Sequence, residues 1–134
     1  MRAIVAWLLG LGLVAIGLVM LGVPADWYAW VPGVANTGPL NEHFVRDIGV
    51  AYLVAGASLV WFAIDAGARP AAQAGAAFLA LHALIHLWDA AAGREHVHQL
   101  FIDLPTVFLP PALALWIAWA PRDRGSIMAK GEAR

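Results

Sequence analysis

Polar residues interrupt this chain in only a few places, and the apolar stretches between them are long. Residues 3–23 contain no charge. A helix of about 20 residues, rising 1.5 Å per residue, crosses a hydrocarbon core about 30 Å thick. The stretch also exceeds the roughly 7–15 apolar residues of a secretory signal core. It therefore reads as a transmembrane helix rather than a cleaved leader. Three more blocks of the same kind follow, over residues 42–64, 71–92 and 97–120. The predicted fold is all-α: an integral membrane four-helix bundle with up-down topology, a single domain over residues 1–121. Residues 122–134 read as a polar cytoplasmic tail.

The connections carry their own signals. Residues 24–41 hold Trp27, Tyr28 and Trp30, then Pro32, Gly33, Asn36, Gly38 and Pro39. Pro24 suits the first position of a short helical turn bearing the aromatics. Amphipathic rings settle at the membrane–water boundary, so the segment is predicted to lie on the outer surface as a lid. Asn41 suits the N-cap of the second span. Gly49 and Gly56, seven apart, form a helix-contact stripe. The fourth span could begin at Val97 or only at Pro105. The shorter version has about 16 residues and covers about 24 Å, too little for the bilayer core. The longer version is preferred, with bends at Pro105 and at Pro110-Pro111.

Composition sharpens this picture. Hydrophobic residues make up 62% and charged residues 13%, against roughly half and a quarter in soluble domains. There is no cysteine, which excludes disulfides, thiolate metal sites and iron–sulfur clusters. A net charge of −1 leaves no basic patch for nucleic acid. Arg2, Arg69, Arg122, Arg124, Lys130 and Arg134 fall on one side of the predicted spans, and Arg46 and Arg94 on the other. The positive-inside rule then puts both termini in the cytoplasm. Trp7, Trp61, Trp116 and Trp119 would anchor the inner face, and Trp27, Trp30 and Trp88 the outer one.

The chemistry gathers on the outer side. His43, His82, His86, His96 and His98 all fall there, with Asp26, Glu42, Asp47, Asp89, Glu95 and Asp103. On the third span, His82, His86 and Asp89 lie within about 60° of one another at 100° per residue. Ionisable groups at membrane depth face the bundle interior or a watery cavity, and mark a functional site by default. Imidazole and carboxylate together suit Zn, Cu or Fe, so His82, His86 and Asp89 are candidate metal ligands. His43 and Asp47 share a face at the start of the second span and are candidate additional ligands or orienting groups. Arg46 beside them is a candidate for holding a carboxylate or an anionic substrate. Along the fourth span, His96, Gln99, Asp103 and Thr106 share a face. Pro110 and Pro111 deprive the carbonyls of Thr106 and Val107 of their usual partners.

Plainer readings stand beside these. Buried His and Asp can simply hold helices together. An acid such as Asp47 in a first helical turn is favoured by the helix dipole alone, and His96 and His98 read as solvated loop residues. Haem would need axial histidines at matching depth on facing helices, which His43 and His86 do not supply. No Ser-His-Asp triad or phosphate-binding glycine loop is present. A proton path through the membrane would have only Ser58, Asp65 and Gln73 in the inner half.

The run Asn41-Glu42-His43-Phe44-Val45-Arg46-Asp47-Ile48-Gly49, with Gly56 beyond it, resembles a pattern in the DoxX-like superfamily of small four-helix bacterial membrane proteins. The resemblance implies a four-helix layout and a link to respiratory or redox membrane chemistry. Arg46 and Asp47 are the positions it carries over, and the histidines of the third span lie outside it. Two functional expectations follow. The first is a metal- or cofactor-binding membrane protein with an outward-facing His/Asp site, serving as a redox accessory subunit. The second is a structural subunit of a larger membrane complex with no chemistry of its own. The partners would be the lipid bilayer and either another membrane protein or a second copy of the chain.

Overall fold

The computed structural model describes residues 1–94 and 96–120, so Glu95 and the tail predicted over residues 122–134 lie outside the described residues. Its helices are α1 (Arg2–Gly22), α2 (Pro24–Trp30), α3 (Glu42–Ile64), α4 (Arg69–Ala91) and α5 (Val97–Trp119). There is no β-strand among the described residues. α1, α3, α4 with its preceding turn, and α5 are each long and apolar enough to cross a membrane.

The local signals act where the sequence placed them. Pro24 opens α2. Asn41 caps α3, its Oδ1 accepting from the Phe44 amide at 3.1 Å. Asp65 closes the turn into α4 by accepting from the Gly67 amide at 2.8 Å. α5 runs unbroken from Val97 but widens to a π-turn over Leu104–Phe108, where the Leu109 amide reaches back to the Leu104 carbonyl. The cause sits just beyond it. Pro110 and Pro111 cannot donate to Thr106 and Val107, and their rings crowd those same carbonyls. Both carbonyls lie inside the widened turn, which relieves the crowding.

α1 and α3 make the closest helix contact. Gly10 faces Gly56, and Gly17 faces Gly49, so the seven-residue spacing on one helix meets the same spacing on the other. A Cβ at Gly56 would lie 2.6 Å from the Gly10 carbonyl oxygen. Bare glycines let the two backbones approach, and dispersion between them replaces the hydrophobic effect that lipid cannot supply. α3 packs on α4, and α4 on α5.

The two ends differ. At one end Arg2 Nη1 donates to the Ala120 carbonyl at 2.9 Å. Arg69 Nη1 donates to the same oxygen at 3.1 Å and to Ala118 at 3.3 Å. These last-turn carbonyls of α5 have no intrahelical donors and carry the negative end of the helix dipole. Two guanidiniums thus gather the starts of α1 and α4 and the end of α5. The main hydrophobic cluster belongs to this arginine end: Ala6, Leu13, Ala55, Leu59, Ala72, Ala76, Leu79, Ala114, Ile117 and Ala118. Toward the other end, here the histidine end, α4 buries only Ala83 beyond Leu79. There α1 and α3 still pack through Gly17, Met20 and Gly49, while α4 meets α5 through the polar pair His86–Asp103.

Candidate functional site

The site grows from a single ridge of α4. Phe78, His82 and His86 stand four residues apart and so stack along one face. The Phe78 and His82 rings are stacked, with centroids 6.2 Å apart and 25° between planes. His82 and His86 meet edge to face at 5.1 Å. The ridge lies between α3 and α5. On the α3 side Tyr52 packs edge-on against both Phe78 at 5.8 Å and His82 at 6.0 Å. On the α5 side Asp103 meets His86.

That meeting is the strongest polar contact at this end. His86 Nδ1 donates to Asp103 Oδ2 at 2.9 Å. Gln99, one turn earlier on α5, donates through Nε2 to the other oxygen, Oδ1, at 3.0 Å. Asp103 is only 5% exposed. A carboxylate accepts and never donates, so its bond fixes the proton of His86 on Nδ1 and sets the orientation of the ring. Carboxylates play this part behind metal-binding and catalytic imidazoles.

The connection between α2 and α3 reaches the same group. Gly33 adopts φ +89°, a left-handed conformation that glycine takes without strain. A Cβ there would collide with the Gln99 side-chain amide. The segment is tied to itself by Tyr28, whose hydroxyl donates to the Ala35 carbonyl at 3.4 Å and to the Gly38 carbonyl. The lid expected from sequence therefore rests on Gln99, which holds Asp103, which holds His86.

The structure redistributes the residues chosen from sequence. His82 and His86 are brought together as the spacing required. Asp89 is not with them: it pairs with Arg94 at 2.8 Å. Asp89 sits in the last turn of α4, where the guanidinium in the following loop attracts a carboxylate more strongly than a neutral imidazole does. Asp103 from α5 supplies the carboxylate instead. His43 and Asp47 approach each other at 3.5 Å on the surface of α3, with side chains 88% and 61% exposed. Arg46 turns to Glu42 at 2.9 Å and to the Leu21 carbonyl at 3.4 Å, not to Asp47. These α3 residues form their own interfacial pairs. Among the described residues no three His, Asp or Glu side chains are grouped to hold a metal ion, so the set His82, His86 and Asp89 is not assembled as one.

Sequence reasoning put Gln99 and Asp103 on one face of the last span but did not pair them with His86. It passed over Tyr52 altogether. The available signal was its position: tyrosine concentrates at membrane interfaces, and Tyr52 lies near the midpoint of α3.

Comparison with protein families, with characterised proteins and with solved structures finds no match. The site's chemistry alone carries the functional argument.

Proposed function

We propose that the protein is a multi-pass protein of the bacterial inner membrane, with an up-down bundle of four spans and both termini in the cytoplasm. On this reading, the histidine end carries a binding site for a metal ion or small cofactor facing the outer side. The carrying observation is the 2.9 Å bond between His86 and a nearly buried Asp103 inside two candidate spans. A polar pair at that depth is costly to place in lipid and is rarely retained without a task.

The His82–His86 spacing favours a ligand shared by both rings. Imidazoles flanking one tetrahedral ion have ring centres about 5 Å apart, from metal–nitrogen distances of about 2.0 Å. The observed separation is 5.1 Å. Zn, Cu or Fe would suit this nitrogen pair, with further donors supplied by the ligand or by a partner. A redox accessory role rests on the resemblance of residues 41–49 to the DoxX-like superfamily.

The test is elemental analysis with an absorption spectrum, on protein purified in mild detergent without added metal or chelator. Near-stoichiometric metal or a chromophore is expected, and it should fall at least several-fold in His86→Ala and Asp103→Asn. Protein that stays empty after Zn, Cu and Fe are added back contradicts the reading. The alternative, a structural subunit, is favoured by one observation: Asp103 already has a partner at each oxygen, as a pure packing network would. In that case both variants lose stability or assembly and nothing else.

A further inference from the structure

Hydrogen bonding at the histidine end is uneven. His86, Asp103 and Gln99 form a connected set. One turn along α4, His82 makes ring contacts with Phe78, Tyr52 and His86, yet neither of its nitrogens has a hydrogen-bond partner among the described residues. Across from it, the Tyr52 hydroxyl has none either. Both residues lie near the middle of helices able to span a membrane, where there is no bulk water to bond them. Neither is sealed inside the protein, since among the described residues the buried polar atoms without partners are Trp27 Nε1 and Arg69 Nε. Two unpaired hydrogen-bonding groups from different helices therefore keep some access to the exterior, about 6.0 Å apart, ring centre to ring centre.

We propose that Tyr52 and His82 bind the head of a bilayer-dissolved molecule with an apolar body and a neutral carbonyl or hydroxyl group. This rests on the reading of the cluster as a binding site and names what is bound. The hydroxyl of Tyr52 donates and accepts, and a neutral imidazole does both at its two nitrogens, so either head finds a partner. Anionic heads are disfavoured. An anion would approach the Asp103 carboxylate behind His86, and no Arg or Lys lies in this stretch of α3, α4 or α5 to offset it. The Phe78 ring stacked on His82 offers a wall for the apolar body. Entry would be from the lipid, because both groups lie near the middle of helices able to span a membrane.

Full-length protein labelled with ¹⁵N at its histidines is placed in phosphatidylcholine nanodiscs. It is then titrated with 2-undecanone, 1-undecanol and, as control, undecane. The imidazole ¹⁵N resonances report hydrogen bonding at each ring. The ketone or the alcohol should move the His82 resonances saturably, and undecane should not. Tyr52→Phe, which keeps the ring and the packing, should weaken that binding about tenfold, the worth of one hydrogen bond. The ligand class is overturned if no probe moves His82, or if Tyr52→Phe binds like the unaltered protein. A His82 shift that follows dimer formation in sedimentation also overturns it, because a second copy then covers the face. So does a shift produced only by added Zn, Cu or Fe. In all these cases the site itself survives if the purified protein still carries a metal or chromophore that Asp103→Asn lowers several-fold. If it carries neither, even after Zn, Cu and Fe are added back, the binding-site reading itself has failed.

Discussion

Asp103 and Asp89 are two acids close to the same histidine ridge, and they differ in everything but type. Asp103 is nearly buried, with one oxygen on His86 and the other on Gln99. Asp89 is partly exposed and pairs with Arg94 beyond the end of its helix. Asp103→Ala strands two donors in an apolar setting and should destabilise the protein by about 1–3 kcal/mol. Asp89→Ala removes an interfacial ion pair and should cost no more than about 0.5–1 kcal/mol. Unfolding of both variants in mixed micelles of graded denaturing detergent measures the difference, and equal effects would contradict the placement. From sequence the ranking runs the other way. Asp89 shares helix spacing with His82 and His86, which periodicity reveals, whereas Asp103 comes from another helix and its reach depends on how α4 and α5 pack. Gly33 is a second single-residue test. Gly33→Ala must adopt a positive φ, which costs an L-residue about 1–2 kcal/mol, and its methyl meets the Gln99 amide. It should disturb the His86–Asp103 pair from the far side of the lid, seen as a shift in the His86 ¹⁵N resonances.

At the scale of elements, most of the architecture was legible because membranes impose it. Four apolar blocks, Asn41 as a cap, Pro24 as a helix start and the long version of the last span all follow from length, capping and backbone satisfaction. Gly49 and Gly56 announced a contact stripe, but their partners Gly10 and Gly17 were hidden among other small residues of α1. The structure singles them out by proximity. Gly56→Ala would place a Cβ 2.6 Å from a backbone oxygen and 2.8 Å from the Val14 amide nitrogen. Backbone cannot swing aside as a side chain does, so the helices must part, at about 1–3 kcal/mol. Gly12→Ala, on the same α1 with nothing within 4 Å, should be neutral or slightly stabilising. Loss of stability in both would mean that α1 tolerates no added bulk anywhere, and the paired-glycine account would fall. The π-turn of α5 was foreseen only as a bend. A proline pair predicts disruption of the ladder, but whether the chain kinks or widens depends on what packs against it.

At the scale of the whole molecule, the two ends divide the labour. Arg2 and Arg69 gather the helix ends over the main hydrophobic cluster, while at the histidine end α4 and α5 are joined by a polar pair and a connection rests on Gln99. An apolar, closely packed end and an end with a polar cluster would suit the proposed binding of a ligand on one side of a bilayer. Which side is a matter of charge. The arginine end carries Arg2 and Arg69, and the sequence adds Arg122, Arg124, Lys130 and Arg134 beyond α5, so it should face the cytoplasm. The absence of cysteine makes this simple to test, since any thiol label reports only the residue introduced. In intact spheroplasts, Asn36→Cys should react with a membrane-impermeant maleimide. Ser126→Cys should react only after permeabilisation. The reverse pattern would put the histidine cluster on the cytoplasmic side and its ligand supply with it, while labelling of both before permeabilisation would contradict the three crossings expected between them. The expected pattern places His82 and His86 in the outer half of the bilayer, so that whatever they bind arrives from the outer leaflet.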